Sequence, residues 1–440
     1  MSGVARYSGE PQSEYGYLRY RVLALLSLTY AFSVADRFLL GILLPHIKEE
    51  LSLNDSLLGL LSGAAFALFY ATLGIPLARL ADRYSRKFII AASLAVFSLM
   101  TALCGTAVNF ATLFLARVGV GVGEAGTTPG SLSLISDFFA KERRSLAMAL
   151  FTVGANVGLL AGFMMGGYLV VNYGWRQTFV AFGVPGIIIA LIIAMALPEP
   201  RRGASDGLVM RAADRSSSLW ASVRFLWSQP SYRNMALGFA MMLFVATGVL
   251  AWIPSFLDRS HDMAADEVGV SLGLMLGLAG PLGTIVVGGV LADRLSRRDP
   301  RWGLWLVSIG ALVVCPAYLG MVAAPSGALA LAAYFVPALM GAFFQGPTAA
   351  LTQAVSPVSV RATSGALLLL IGNLIGLGLG PLVIGVLSDV LAPQLGQDSL
   401  RYALLVAPVA AIVGAMLYYR ATRTLSEDIV RAEKMELASL

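Results

Sequence analysis

Four charged side chains stand inside stretches that are otherwise apolar. Asp36 and Arg37 lie in Phe32-Ser33-Val34-Ala35-Asp36-Arg37-Phe38, and Arg117 and Glu124 bracket Val118-Gly119-Val120-Gly121-Val122-Gly123. Two carboxylates and two guanidiniums in such surroundings support two kinds of chemistry. They can form static ion pairs, Asp36 with Arg117 and Arg37 with Glu124, that fix helix packing. Alternatively, Asp36 or Glu124 takes up a proton that an approaching arginine releases, because burial favours the neutral carboxyl and a nearby guanidinium the ionised one. One pH unit of such modulation is about 1.4 kcal/mol, the size of work a modest proton gradient supplies. Other chemistries lack their residues. His46 and His261 stand alone, and Cys104 and Cys315 fall in apolar segments of opposite halves and read as free thiols. No metal-ligand spacing, nucleophile–base pair or phosphate-binding loop occurs, so neither an enzyme nor a cofactor is expected.

The elements that must hold these charges are membrane helices. Of the 440 residues 58% are hydrophobic and only 13% charged, against about 25% in soluble domains, and the mean hydropathy is +0.77. A bilayer crossing needs about 20 predominantly apolar residues. Such runs are read at 20–44, 56–80, 88–108, 110–137, 145–171, 178–197, 234–257, 267–291, 303–323, 328–354, 362–391 and 401–421. Twelve helices are thus predicted in an all-α membrane protein. The six-helix bundles would be 1–197 and 234–440, joined by a polar linker at 198–233 that holds Arg201, Arg202, Arg211 and Arg215 and ends near an amphipathic stretch at Leu219–Leu226. The first 18 residues lack a signal-peptide pattern, so the first helix is expected to be retained.

Loop charges give an orientation. One side collects Arg79, Arg83, Arg86, Lys87, Lys141, Arg143, Arg144, the linker, Arg294, Arg297, Arg298 and Arg361, while the other holds little beyond Lys48, Arg176, Arg259 and Arg401. Both termini are therefore expected on the cytoplasmic side. No basic run with interleaved aromatics lies outside the membrane segments, and nucleic acid is not an expected partner. A charge near the bilayer centre costs about 2.5–3.5 kcal/mol, so the four buried charges must face protein or a cavity. The glycines between Arg117 and Glu124 permit that close helix contact.

The two halves repeat. Ala81-Asp82-Arg83-Tyr84-Ser85-Arg86-Lys87 follows the second helix and Ala292-Asp293-Arg294-Leu295-Ser296-Arg297-Arg298 the eighth. Glycine recurs every fourth residue at 154, 158, 162 and 166, and again at 372, 376 and 380. Parallel six-helix repeats follow.

The paired loops resemble the major facilitator signature, Gly-x-x-x-Asp-Arg-x-Gly-Arg-Lys. Asp82, Arg83, Arg86 and Lys87 match while Ala78 and Ser85 replace the glycines; in the second copy Gly289, Asp293, Arg294, Arg297 and Arg298 match and Ser296 replaces the later one. The resemblance implies a cytoplasmic gate in which Asp82, Arg83, Arg86, Asp293 and Arg294 latch the halves. Asp36-Arg37-Phe38, Arg117 to Ala125, and Asp137-Phe138-Phe139 are further similar to the spinster branch. That likeness rests on the first four helices. It implies a proton-coupled carrier of lysophospholipids or sphingolipids, such as sphingosine-1-phosphate, working by alternating access. Asp36, Glu124 and Arg117 would couple protons, and Arg37, Arg117 and Glu124 would meet the head group.

Moving a lipid tail through water would cost about 0.8 kcal/mol per CH₂, and a proton crossing about 100 mV supplies only about 2.3 kcal/mol. A lipid carrier must therefore keep the tail in an apolar cavity. Phe244, Trp252, Phe335, Phe343 and Phe344 are candidates to line it, with Tyr334, Gln345 and Asn373 as polar neighbours. The competing reading is a proton-coupled exporter of drugs or small organic anions. The expected partners are the amphiphilic substrate, protons and membrane lipids. The chain is expected to act as a monomer in a bacterial inner membrane.

Overall fold

The computed structural model describes residues 16–200 and 219–438, all of whose regular structure is helical. In chain order, α1 is Leu18–Leu51, α2 is Asp55–Ser62 continued by Ala64–Arg83, α3 is Arg86–Cys104, and α4 is Phe110–Glu124 continued by Thr127–Phe138. The next stretch, Lys141–Ala196, turns at Gly174 into two limbs, α5 (141–173) and α6 (175–196). A short helix, Leu219–Ser228, precedes α7 (Pro230–His261), α8 (Ala265–Ser296) and α9 (Arg301–Ala323). Then come α10 (Gly327–Leu339 and Gln345–Ala354), α11 (361–395) and α12 (Ser399–Ala403 and Val406–Ala438).

Among the described residues, eight helical stretches are long and apolar enough to cross a membrane. The difference from the twelve read in the sequence has local causes. Gly174, at φ 83°, takes a backbone conformation that favours glycine and leaves α5 and α6 as one stretch. α4 breaks at Ala125-Gly126, α10 breaks over 340–344, and α12 carries a charged tail. Two segments of α8 (Met275–Ala279 and Thr284–Leu291) and one of α11 (Gly372–Leu379) are π-helical, a geometry common at functional sites.

Glycine spacing explains how α1 is held. A Cβ on Gly158 would lie 2.3 Å from the carbonyl oxygen of Ala31, so only glycine lets α5 pack its backbone against α1 there. The same row continues at Gly154 against Ser27 and Gly162 against Ala35, one residue before Asp36. In the second half Gly372, Gly376 and Gly380 of α11 pack in the same way on α7, against Phe239, Leu243 and Phe244. The two halves repeat the same helix pairing.

Contacts between the halves gather at the end of the bundle that holds Asp55. There a Cβ on Gly63 would lie 2.4 Å from Gly378 O, Gly269 of α8 meets Phe163 of α5, and Gly41 of α1 meets Ala251 of α7. At the opposite end, which holds Arg86, Asp293 and Arg294 are exposed. A cavity lined by residues of both halves lies between them.

Candidate functional site

The structure brings Asp36, Arg37, Arg117 and Glu124 together. Arg117 and Glu124 lie two helical turns apart on one face of α4, turned toward α1. Arg117 Nη1 donates to Asp36 Oδ2 at 3.3 Å, with both side chains buried. Arg37 Nη2 pairs with Glu124 Oε1, and Ser33 Oγ donates to the same oxygen at 2.5 Å. Thr127 Oγ1 donates to Glu124 O at 2.8 Å, closing the break in α4.

This network is paired but not saturated. Asp36 Oδ1, Glu124 Oε2, Arg37 Nε and Arg117 Nε are buried and have no hydrogen-bond partner among the described residues. Buried polar groups are normally satisfied, and a buried charge left alone is expensive. A proton could add at Glu124 Oε2, which has no hydrogen-bond partner among the described residues, and it would neutralise the charge that holds Arg37 at Oε1.

Arg37 differs from the other three. Its side chain is 20% exposed against 1% for Glu124, and its guanidinium carbon lies 4.9 Å from the ring centre of Phe66 and 5.1 Å from that of Tyr70. Those rings stack with centroids 5.2 Å apart, so the cation keeps aromatic partners when its carboxylate changes. Arg37 lines the cavity of about 660 Å³ between the halves and is the one charged lining residue among the described residues; Asp36, Arg117 and Glu124 are not part of the lining.

Of the cavity candidates, Tyr334, Phe343, Phe344, Gln345 and Asn373 line the wall, while Phe244, Trp252 and Phe335 do not. Trp252 is fully buried, and its indole donates to Pro381 O at 2.8 Å, joining α7 to α11. Phe244 is buried where α7 meets Gly380, and Phe335 is 42% exposed. Aromatic type alone does not tell which face of a helix looks inward. Tyr318, Thr247, Thr152 and Asn156 were not singled out and do line the cavity.

Of the loop residues, Arg86 is buried and pairs within its own half. Its guanidinium meets Asp137 at the end of α4, Ser133 Oγ at 3.1 Å and Pro200 O at 3.1 Å, and its main-chain N–H donates to Glu199 at 2.6 Å. The side chains of Asp82 and Arg83 lie outside the described residues. Asp293 and Arg294 are exposed.

The residues that join the halves are ones sequence reading passed over. Asp55, at the start of α2, accepts a bidentate pair from Arg259 of α7 at 2.7 and 2.8 Å. It also accepts from Lys48 Nζ at 2.7 Å and from Ser388 Oγ of α11 at 2.6 Å. Asp389 accepts from the N–H groups of Asp55 and Ser56 at 3.0 and 2.7 Å, capping α2 from the other half. The available signals were Asp389 inside an apolar run and Asn54-Asp55-Ser56 at a helix start.

The sequence model of the Major Facilitator Superfamily matches residues 26–381. The chain belongs to the major facilitator superfamily. A Mycolicibacterium smegmatis protein described as an MFS-type efflux pump is 33% identical over 411 residues, covering 93% of this chain and 94% of that protein. Protein spinster homolog 1 of Homo sapiens is 27% identical over 388 residues, 84% of this chain and 72% of that protein. Among solved structures, a bacterial homolog of the human lysosomal transporter Spinster, in an inward-facing and unoccupied conformation, superposes with a TM-score of 0.84 at 30% identity, covering 93% of this chain and 98% of that one. Its inward-facing, occupied form gives a TM-score of 0.81 at 29% identity, covering 96% and 99%. The chain is thus a major facilitator transporter with spinster-like relatives, in a family of carriers rather than enzymes.

Proposed function

We propose that this transporter moves an amphiphilic lipid, a lysophospholipid or a sphingolipid such as sphingosine-1-phosphate, coupled to protons by alternating access. One observation carries the reading: among the described residues the cavity has a single charged one, Arg37, and that residue is also the ion-pair partner of buried Glu124. An anionic head group at Arg37 competes with Glu124 for the guanidinium, and protonation of Glu124 releases Arg37 to the head group. Loading of proton and lipid are linked through one side chain. Asp36 and Arg117 form the second pair behind it and complete the proton-coupling network.

The remaining wall, with Phe343, Phe344, Leu276 and Val314, suits an acyl chain, and a volume of about 660 Å³ lies inside the usual range of about 300–1,000 Å³ for ligand pockets. The contacts around Asp55 serve as the gate on one face. Asp82, Arg83, Arg86, Asp293 and Arg294 serve the opposite face, which the loop charges assign to the cytoplasm of a bacterial inner membrane. The unit of transport is the monomer.

The efflux pump from M. smegmatis favours a second reading, proton-coupled export of drugs or small organic anions. The two separate by competition in proteoliposomes with labelled lysolipids, sphingoid phosphates and small dyes. The lipid reading expects lysolipids or sphingoid phosphates to compete and is overturned if only water-soluble compounds do.

A further inference from the structure

The part of the cavity wall that the second half contributes carries neutral polar groups that open to the cavity. Tyr318 of α9 and Tyr334 of α10 are each 4% exposed and line the cavity. Neither hydroxyl has a hydrogen-bond partner among the described residues. Asn373 stands on the same cavity, on the π-helical part of α11, and its side-chain amide is likewise unpaired there. Buried tyrosine hydroxyls usually find a partner. Other buried hydroxyls in this half have done so: Tyr232 donates to Ser364 O at 2.7 Å, and Tyr418 shares a 2.7 Å hydrogen bond with Thr348. The hydroxyls of Tyr318 and Tyr334 are placed differently: they are not enclosed by protein but open to the cavity, where a ligand would sit.

We propose that Tyr318, Tyr334 and Asn373 form a neutral hydrogen-bonding subsite for an uncharged polar group of the substrate, a hydroxyl or an amide, whose anionic group is held by Arg37 across the cavity. The inference rests on the amphiphile reading above and narrows it. The substrate carries one anionic centre and at least one hydroxyl or amide beside it, and it bridges the halves. A bare fatty anion meets Arg37 alone and makes no use of the phenols. Phenols and a carboxamide both donate and accept, so the subsite reads polarity without charge.

The test pairs protein variants with ligand variants. Binding of 1-oleoyl-glycerol-3-phosphate and of its 2-deoxy analogue is measured for the full-length protein in nanodiscs, for wild type, Tyr318→Phe, Tyr334→Phe and Asn373→Leu. The tyrosine variants keep ring and volume, so the fold is retained. Wild type should prefer the hydroxylated probe by about three- to tenfold, the value of one or two neutral hydrogen bonds. At least one tyrosine variant should remove that preference while leaving affinity for the deoxy probe unchanged. Equal wild-type affinity for the two probes overturns the subsite alone, as does a preference that all three variants retain. Wild type that binds neither probe but binds an anionic dye overturns the lipid reading and the subsite with it.

Discussion

At the scale of single residues, the proposed function turns on Arg37 and Glu124, and the contrast with Asp36 and Arg117 makes the claim specific. Removing one partner of a buried pair strands the other at about 3–5 kcal/mol. Arg117 is 1% exposed and its described acidic partner is Asp36, so Asp36→Asn should lower thermal stability as well as transport, which a melting curve in detergent would report. Arg37 retains Phe66, Tyr70 and the cavity when Glu124 changes, so Glu124→Gln should keep wild-type stability. The aromatic pair has its own consequence. Tyr70→Leu should weaken binding of an anionic substrate severalfold, while Tyr70→Phe restores it, because the ring face and not the hydroxyl holds the cation. Equal losses in both variants would contradict that role.

At the scale of elements, the arrangement depends on helices that approach without side chains between them. Gly158→Val would drive α5 from α1 and displace Asp36 and Arg37, so loss of folded protein is expected, read as an aggregated peak in size-exclusion chromatography. The contact of α2 with α7 and α11 predicts something different. Asp55→Asn weakens the bidentate pair with Arg259 and the bond from Lys48, favouring a state open at the Asp55 end. A cysteine placed at Leu250, which lines the cavity, should then react several times faster with an impermeant maleimide added from that side. An unchanged rate would remove the latch from the account. Cys104 and Cys315 are buried, so background labelling is low.

This latch also marks the limit of sequence reading. Apolar runs, loop charges and paired glycine rows were enough to expect the fold, because each is a local pattern tied to helix geometry. Asp36, Arg37, Arg117 and Glu124 were legible because a charge in an apolar run is costly wherever it lies. Asp55 and Arg259 are 204 residues apart and Asp55 and Asp389 are 334 apart; near helix ends such charges look solvated, and their meeting depends on how the halves dock. Trp252 and Phe244 illustrate the converse. Their type suggested a cavity wall, yet helix rotation puts them between α7 and α11, and Tyr318, in a largely apolar run, is turned inward.

At the scale of the whole molecule, the halves meet at the Asp55 end, with the Arg37–Glu124 pair beside the cavity between them. A carrier built this way should couple substrate movement to protons through Glu124. The most direct measurement is uptake of a labelled lysolipid or sphingoid phosphate into proteoliposomes with and without an imposed pH difference, for wild type and Glu124→Gln. Wild type should accumulate substrate only under the gradient. Glu124→Gln should lose that dependence while still exchanging substrate down its own gradient. Transport by wild type that ignores the pH difference, with Glu124→Gln equally active, would contradict the account.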